Sequence, residues 1–197
     1  MLRGIIFDLD NTLVDSRLDF ELMRQEMNLP SRQPILEGIA ALAASEAALC
    51  REVLQRHELA GAERATALPG VHELLDQLRR RGLPIGIATR NSRVMAETML
   101  RQCGIGRDIL LTRDCGPVKP DPWPVQFICQ QWQLPPREVA MIGDYRYDVE
   151  SGRAAGAWTV LLTHNIDPET YPNEEQADLV LRSLAEANKL LAWLESL

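Results

Sequence analysis

Gly4-Ile5-Ile6-Phe7-Asp8-Leu9-Asp10-Asn11-Thr12-Leu13 is the stretch whose reading decides the fold. Ile5, Ile6 and Phe7 form a short apolar run rich in β-formers, which reads as a buried strand. The run stops at two carboxylates, Asp8 and Asp10, with the Thr12 hydroxyl two residues further on. Either aspartate alone would pass as an Asx-turn residue. Two at this spacing, at the carboxyl end of a strand, project toward one point. In open α/β sheets, ligands bind beyond the carboxyl ends of the strands. The stretch therefore reads as a first strand carrying a nucleophile, a second carboxylate and a hydroxyl to the mouth of a site.

Downstream of Pro69-Gly70 the pattern alternates. Helices are expected over 71–81, 91–103, 123–133, 146–155 and 184–194, and strands over 84–89, 108–112, 138–142, 159–162 and 178–181. Such alternation implies an α/β fold, a Rossmann-like, mainly parallel sheet flanked by helices. Between these parts, residues 15–68 carry helical periodicity and no strand signal. Helices are expected over 17–29, 35–44 and 46–60, the last with Ser45 as its cap. Roughly 50 residues are too many for a simple loop. The expected organisation is a core of residues 1–14 and 69–197, with a small all-helical cap, 15–68, inserted after the first strand.

The 197 residues suit one domain with an insert. A net charge of -7 argues against a nucleic-acid surface. No apolar run reaches the ~18 residues of a membrane span, and the first residues do not read as a signal peptide. The widely spaced Cys50, Cys103, Cys115 and Cys129 suit reduced, structural thiols. The expectation is a cytoplasmic protein, monomer or homodimer, with no nucleic-acid or membrane partner.

Four polar signals follow strands. They are Asp8 with Asp10, Thr89 with Arg90 and Asn91, Lys119 among prolines, and Asp144 with Asp148. The chain holds two lysines, Lys119 and Lys189, against nineteen arginines, so a lysine between prolines suggests a need for a compact point charge. Backbone N–H groups at the helix start behind Thr89 favour an anion. Four converging carboxylates would repel by ~4 kcal/mol per close pair at an effective dielectric near 20. A divalent cation relieves this, and oxygen-only ligands point to Mg²⁺. Carboxylates, Mg²⁺, one lysine and a helix start suit phosphoryl transfer.

On these residues the sequence resembles the haloacid-dehalogenase-like hydrolase superfamily, in its phosphoglycolate-phosphatase-like branch. The first motif is Asp8-Leu9-Asp10-Asn11-Thr12, the second Thr89, the third Lys119-Pro120, and the fourth Gly143-Asp144 with Asp148. The resemblance implies Asp8 as nucleophile through an aspartyl-phosphate, and Asp10 as general acid and then base. It implies Thr89 and Lys119 as groups holding the phosphoryl, with Thr12, Arg90 and Asn91 beside the substrate. It places Mg²⁺ on Asp8, Asp10 through its backbone carbonyl, and Asp144, with Asp148 in support. The substrate is then a small phosphoester, phosphoglycolate-like, with cap arginines Arg17 or Arg24, or Arg90 from the core, on its second anionic group. Tyr145 stands where relatives commonly carry Ser, and Arg90 where a small polar residue is usual.

The presence of Asp10 separates the chain from dehalogenases. The lack of lysine in residues 13–69 separates it from phosphonatases. A sugar-phosphate mutase and a non-catalytic phosphate-binding regulatory protein are the alternatives.

Overall fold

The computed structural model describes residues 2–164 and 177–197. Its main sheet has six parallel strands in the order β5-β4-β1-β6-β7-β8. These are β1 (Gly4–Phe7), β4 (Ile85–Ala88), β5 (Ile109–Leu111), β6 (Val139–Gly143), β7 (Trp158–Leu162) and β8 (Leu179–Leu181). The sequence-derived strand nearest the N-terminus is thus a central strand, paired on both sides.

Strand alternation divides the apolar residues between two layers. Ile5 and Phe7 of β1 and Ala140 and Ile142 of β6 face one core. There they pack with α4 (Val71–Arg80), α5 (Arg93–Gln102) and α8 (Ala187–Ser196). Ile6 of β1 and Val139 and Met141 of β6 face the other core, with Val125, Ile128 and Cys129 of α6 (Trp123–Trp132). Close approach on that side requires Gly4, since an added Cβ would lie 2.7 Å from the Trp132 ring. The four cysteines are free thiols. No helix among the described residues is long and apolar enough to cross a membrane.

Residues 15–68 hold α1 (Phe20–Glu26), α2 (Ile35–Ala40) and α3 (Ala44–Ala62). They have an apolar cluster of their own, built on Met23, Met27, Leu29, Ile35, Ile39, Cys50 and Leu54. Three details differ from the sequence reading. The helix expected from residue 17 starts at Phe20, because Arg17 sits at φ 53°, outside helical space, and Asp19 caps the helix by accepting from the N–H groups of Glu21 and Leu22. Ser45 is no cap, since α3 already begins at Ala44 with no side-chain cap. A two-stranded antiparallel ribbon, β2 (Val14–Asp15) with β3 (Thr66–Ala67), joins the two ends of the segment. Strands of two residues are too short to leave a periodic signal.

Candidate active site

The sheet ladder runs straight into the first motif: the Asp8 N–H donates to the Ile142 carbonyl at 2.8 Å. The chain then turns sharply. The N–H groups of Leu13 and Val14 both donate to the Leu9 carbonyl, and Asn11 takes φ 53°. This turn holds Asp8 and Asp10 at the carboxyl edge of the central strand, where both line one cavity of about 310 Å³. That is the lower end of the ~300–1,000 Å³ usual for small-molecule sites. Thr89, Arg90, Asn91, Lys119, Asp144 and Asp148 line the same cavity.

Lys119 is the hub. Its Nζ donates to Asp8 Oδ1 at 2.6 Å and to Asp148 Oδ1 at 2.5 Å, with only 3% of its side chain exposed. The loop that carries it has a cis peptide at Lys119-Pro120 and is tied to α7 (Arg146–Ala155) by Ser151 Oγ donating to the Asp121 carbonyl at 2.7 Å. Asp148 is held through both oxygens, its Oδ2 accepting the Tyr145 N–H at 3.0 Å. Gly143 is required beside it, since a Cβ there would overlap the Asp148 carboxylate.

Burial governs the charges. It pushes Asp8 up to about 7; Lys119 opposes that rise, while Asp148 and Asp10 add to it. Burial also raises Asp144 well above its usual value, with Asp8 and Asp148 adding repulsion. For Lys119 burial acts downward, yet Asp148 and Asp8 together carry it above its ordinary value. Three carboxylates, those of Asp8, Asp144 and Asp148, offer oxygens within 4.8 Å of one another. An all-oxygen set of mutually repelling, desolvated carboxylates fits a hard divalent cation such as Mg²⁺.

Asp10 stands apart from that cluster. Its Oδ2 accepts from Asn91 Nδ2, and its Oδ1 is buried without a partner among the described residues. Burial raises its pKa, while hydrogen bonds from Ser16 and Asn91 pull the other way. Four sequence expectations shift accordingly. The Asp10 carboxylate lies outside the acidic cluster, so three carboxylates converge and not four. The Asn91 side chain, expected on the substrate, is committed to Asp10. Two of the N–H groups behind Thr89, expected to face an anion, are taken: Asn91 N–H donates to Thr89 Oγ1 at 3.1 Å and Arg93 N–H, the first of α5, to Asp114 at 2.6 Å. Thr12 is fully buried, lacks a hydroxyl partner among the described residues, and is absent from the cavity wall.

The arginines also sort differently. Arg17 is outside the cavity wall, paired with Asp15. Arg24 lines the cavity but donates through Nε to the Gln33 carbonyl at 2.7 Å and pairs with Glu21. Arg90 grips both oxygens of Glu37 on α2, at 2.8 and 2.6 Å, and donates to the Lys119 carbonyl at 3.0 Å. It is thus spent on joining the helical segment to the lysine loop. Arg113, which the sequence did not single out, forks onto buried Glu58 of α3 at 2.5 and 2.9 Å. A glutamate on a helix and an arginine after a strand carry no signal of this pairing, because it spans 55 residues of chain. Arg32 alone among the cavity arginines has no ion pair or hydrogen bond within the described residues, and its side chain is exposed at φ 63°. His164, a stray signal in the sequence, donates from Nε2 to the Asn11 carbonyl at 2.5 Å and so braces the first turn.

Comparison with known proteins follows the same lines. Residues 44–156 match the haloacid dehalogenase-like hydrolase family. The chain is 32% identical to N-acetylmuramic acid 6-phosphate phosphatase of Pseudomonas putida, over 96% of each chain. It is also 32% identical to phosphoglycolate phosphatase of Chromobacterium violaceum, again over 96% of each. Its fold superposes on a hydrolase from Pseudomonas syringae with a TM-score of 0.79, at 23% identity, covering 98% of this chain and 99% of that one. With relatives of this kind along nearly its whole length, and with a carboxylate, a lysine and a strand-end threonine gathered in one small cavity, the chain belongs to the haloacid dehalogenase-like hydrolases and is a phosphomonoester hydrolase of that family.

Proposed function

We propose that the protein is a Mg²⁺-dependent phosphatase that hydrolyses a small, acidic phosphomonoester through an aspartyl-phosphate on Asp8. Phosphoglycolate is the simplest ester of that kind. The observation that carries the reading is the Lys119 ammonium shared by Asp8 and Asp148 at the carboxyl edge of the central strand. It leaves one Asp8 oxygen free to attack while holding the other still. Thr89 and Lys119 bind the phosphoryl oxygens. Asp8 attacks phosphorus, and Asp10, steered by Asn91, protonates the departing oxygen. Asp10 then takes the proton of the water that opens the aspartyl-phosphate. Asp8, Asp144 and the Asp10 carbonyl would hold Mg²⁺, with Asp148 acting through Lys119. When bound, the ion supplies charge neutralisation and polarisation of a phosphoryl oxygen. In this reading residues 15–68 are a cap over a core of 1–14 and 69–197, excluding water from the cavity.

Activity should be lost on exhaustive dialysis against EDTA and return with Mg²⁺. Calcium should restore it poorly, since that ion accepts more ligands at looser geometry. Phosphate release assayed before and after re-addition decides this, and full turnover in excess EDTA refutes the metal assignment.

Arg32 is the cationic group left for a second anion on the substrate. Arg32→Ala should raise KM for 2-phosphoglycolate about three- to fivefold, the modest size expected for an exposed pair. Glycerol 1-phosphate, which lacks the carboxylate, should change by less than about twofold. Equal changes for both esters would remove Arg32 from substrate recognition.

A further inference from the structure

Two aromatic side chains at the cavity are exposed, against the usual tendency to bury such surface. Phe20, at the start of α1, is 38% exposed, and Tyr145, between β6 and α7, is 45% exposed. Neither belongs to any of the three apolar clusters. One comes from the helical segment and the other from the core, and both line the wall that also holds Asp8 and Lys119.

Tyr145 is held in place. Its ring meets Tyr147 edge-on at 5.0 Å between centroids. Tyr147 is in turn flanked by two guanidiniums, Arg90 at 4.8 Å and Arg146 at 5.0 Å. Both lie within the ~6 Å range of a cation–π contact. The Tyr145 backbone N–H is fixed as well, by Asp148. A fixed, exposed ring beside a reaction centre is organised before substrate arrives, so contact with it costs little ordering entropy. Leu36, Ile35 and Leu54 extend the same apolar wall.

We infer that Phe20 and Tyr145 form a platform for a ring in the leaving group, so that among small acidic phosphomonoesters the preferred substrate is a cyclic one, a sugar phosphate. The inference rests on the phosphatase reading above and narrows its substrate. The axial C–H face of a pyranose is apolar and matches aromatic surface. A two-carbon leaving group would leave both rings wet.

The test measures kcat and KM with Mg²⁺ for a hexose 6-phosphate, p-nitrophenyl phosphate, 2-phosphoglycolate and glycerol 1-phosphate. Wild type is compared with Phe20→Ala, Tyr145→Ser and Tyr145→Phe. The unaltered enzyme should favour the ringed esters in kcat/KM. Phe20→Ala and Tyr145→Ser should each raise KM for the ringed esters about tenfold more than for the acyclic ones, with kcat for ringed esters within about twofold. Tyr145→Phe should keep the wild-type ratio, because the ring and not the hydroxyl is the contact. Equal losses on both ester classes, or an acyclic preference in wild type, overturn the inference alone. Hydrolysis of none of the four overturns the phosphatase reading and this inference with it. Should Tyr145→Ser fail to fold, Phe20→Ala, on the separate helical segment, carries the same ratio.

Discussion

Asp8→Asn should lower turnover by roughly 10⁴-fold or more, because an amide is not a competent nucleophile. The variant should nevertheless fold, and this separates chemistry from stability. Burial raises Asp8 to about 7 in the metal-free protein, with Lys119 opposing and Asp148 and Asp10 adding to the rise. A carboxyl whose folded pKa lies above its unfolded value contributes its stability at low pH and loses it as pH rises through the folded pKa. Metal-free wild type should therefore lose stability between about pH 4 and pH 7 through this group. The asparagine variant escapes that loss and can still accept from Lys119 through its amide oxygen. Its Tm in EDTA at pH 7.5 should equal or exceed that of wild type. A beryllium fluoride adduct on wild type should sit against the Asp8 carboxylate, and the variant should not form it. An adduct facing a water in place of Asp8 would overturn the covalent route.

Asp10→Asn should slow turnover by ~10²–10⁴-fold, the usual range for general acid–base catalysis. The structure adds a finer expectation. Asp10 is outside the acidic cluster and steered by Asn91, so its loss leaves the Lys119 contact to the nucleophile in place and only relieves its repulsion of Asp8. With p-nitrophenyl phosphate the leaving group needs little protonation, and the first step should survive. Rapid mixing should then show a burst of p-nitrophenol close to one equivalent, followed by very slow release of phosphate. A slow phase with no burst would mean that phosphorylation needs Asp10 even when the leaving group needs no proton, which overturns its role as general acid in that step.

How much of this was legible depends on chain distance. Ile5–Phe7 followed by Asp8 could be read because strand period and strand-end chemistry are local. Lys119 could be read because a lysine between prolines is conspicuous in an arginine-rich chain. Asp144 and Asp148 follow from one turn of helix. What could not be read is pairing across the fold. Glu37 with Arg90 and Glu58 with Arg113 join residues 53 and 55 positions apart, and each residue alone looks like a solvated helix or loop charge. The same blindness hid the internal partners of Arg90 and Asn91, the two cavity side chains expected beside the substrate. The start of α1 was misplaced because the positive φ of Arg17 is imposed by the loop and not by its own preference.

The β2–β3 ribbon has a consequence for how such a chain can change. Asp15 and Thr66 are cross-strand partners, so the excursion between them begins and ends at one spot. Seen from the sheet it is a closed detour: whatever its contour length, the distance it must bridge stays the same. Lengthening or exchanging it adds only the slow logarithmic term of loop closure, about 0.6 kcal/mol per doubling. The strands on either side keep their register throughout. Phe20, Arg32 and Glu58 all travel on that detour, whereas Asp8, Lys119 and Asp144 do not. The carboxylates and the lysine, with Tyr145, thus stay on one part of the polypeptide, while Phe20 and Arg32 reach the same cavity from a separately replaceable part.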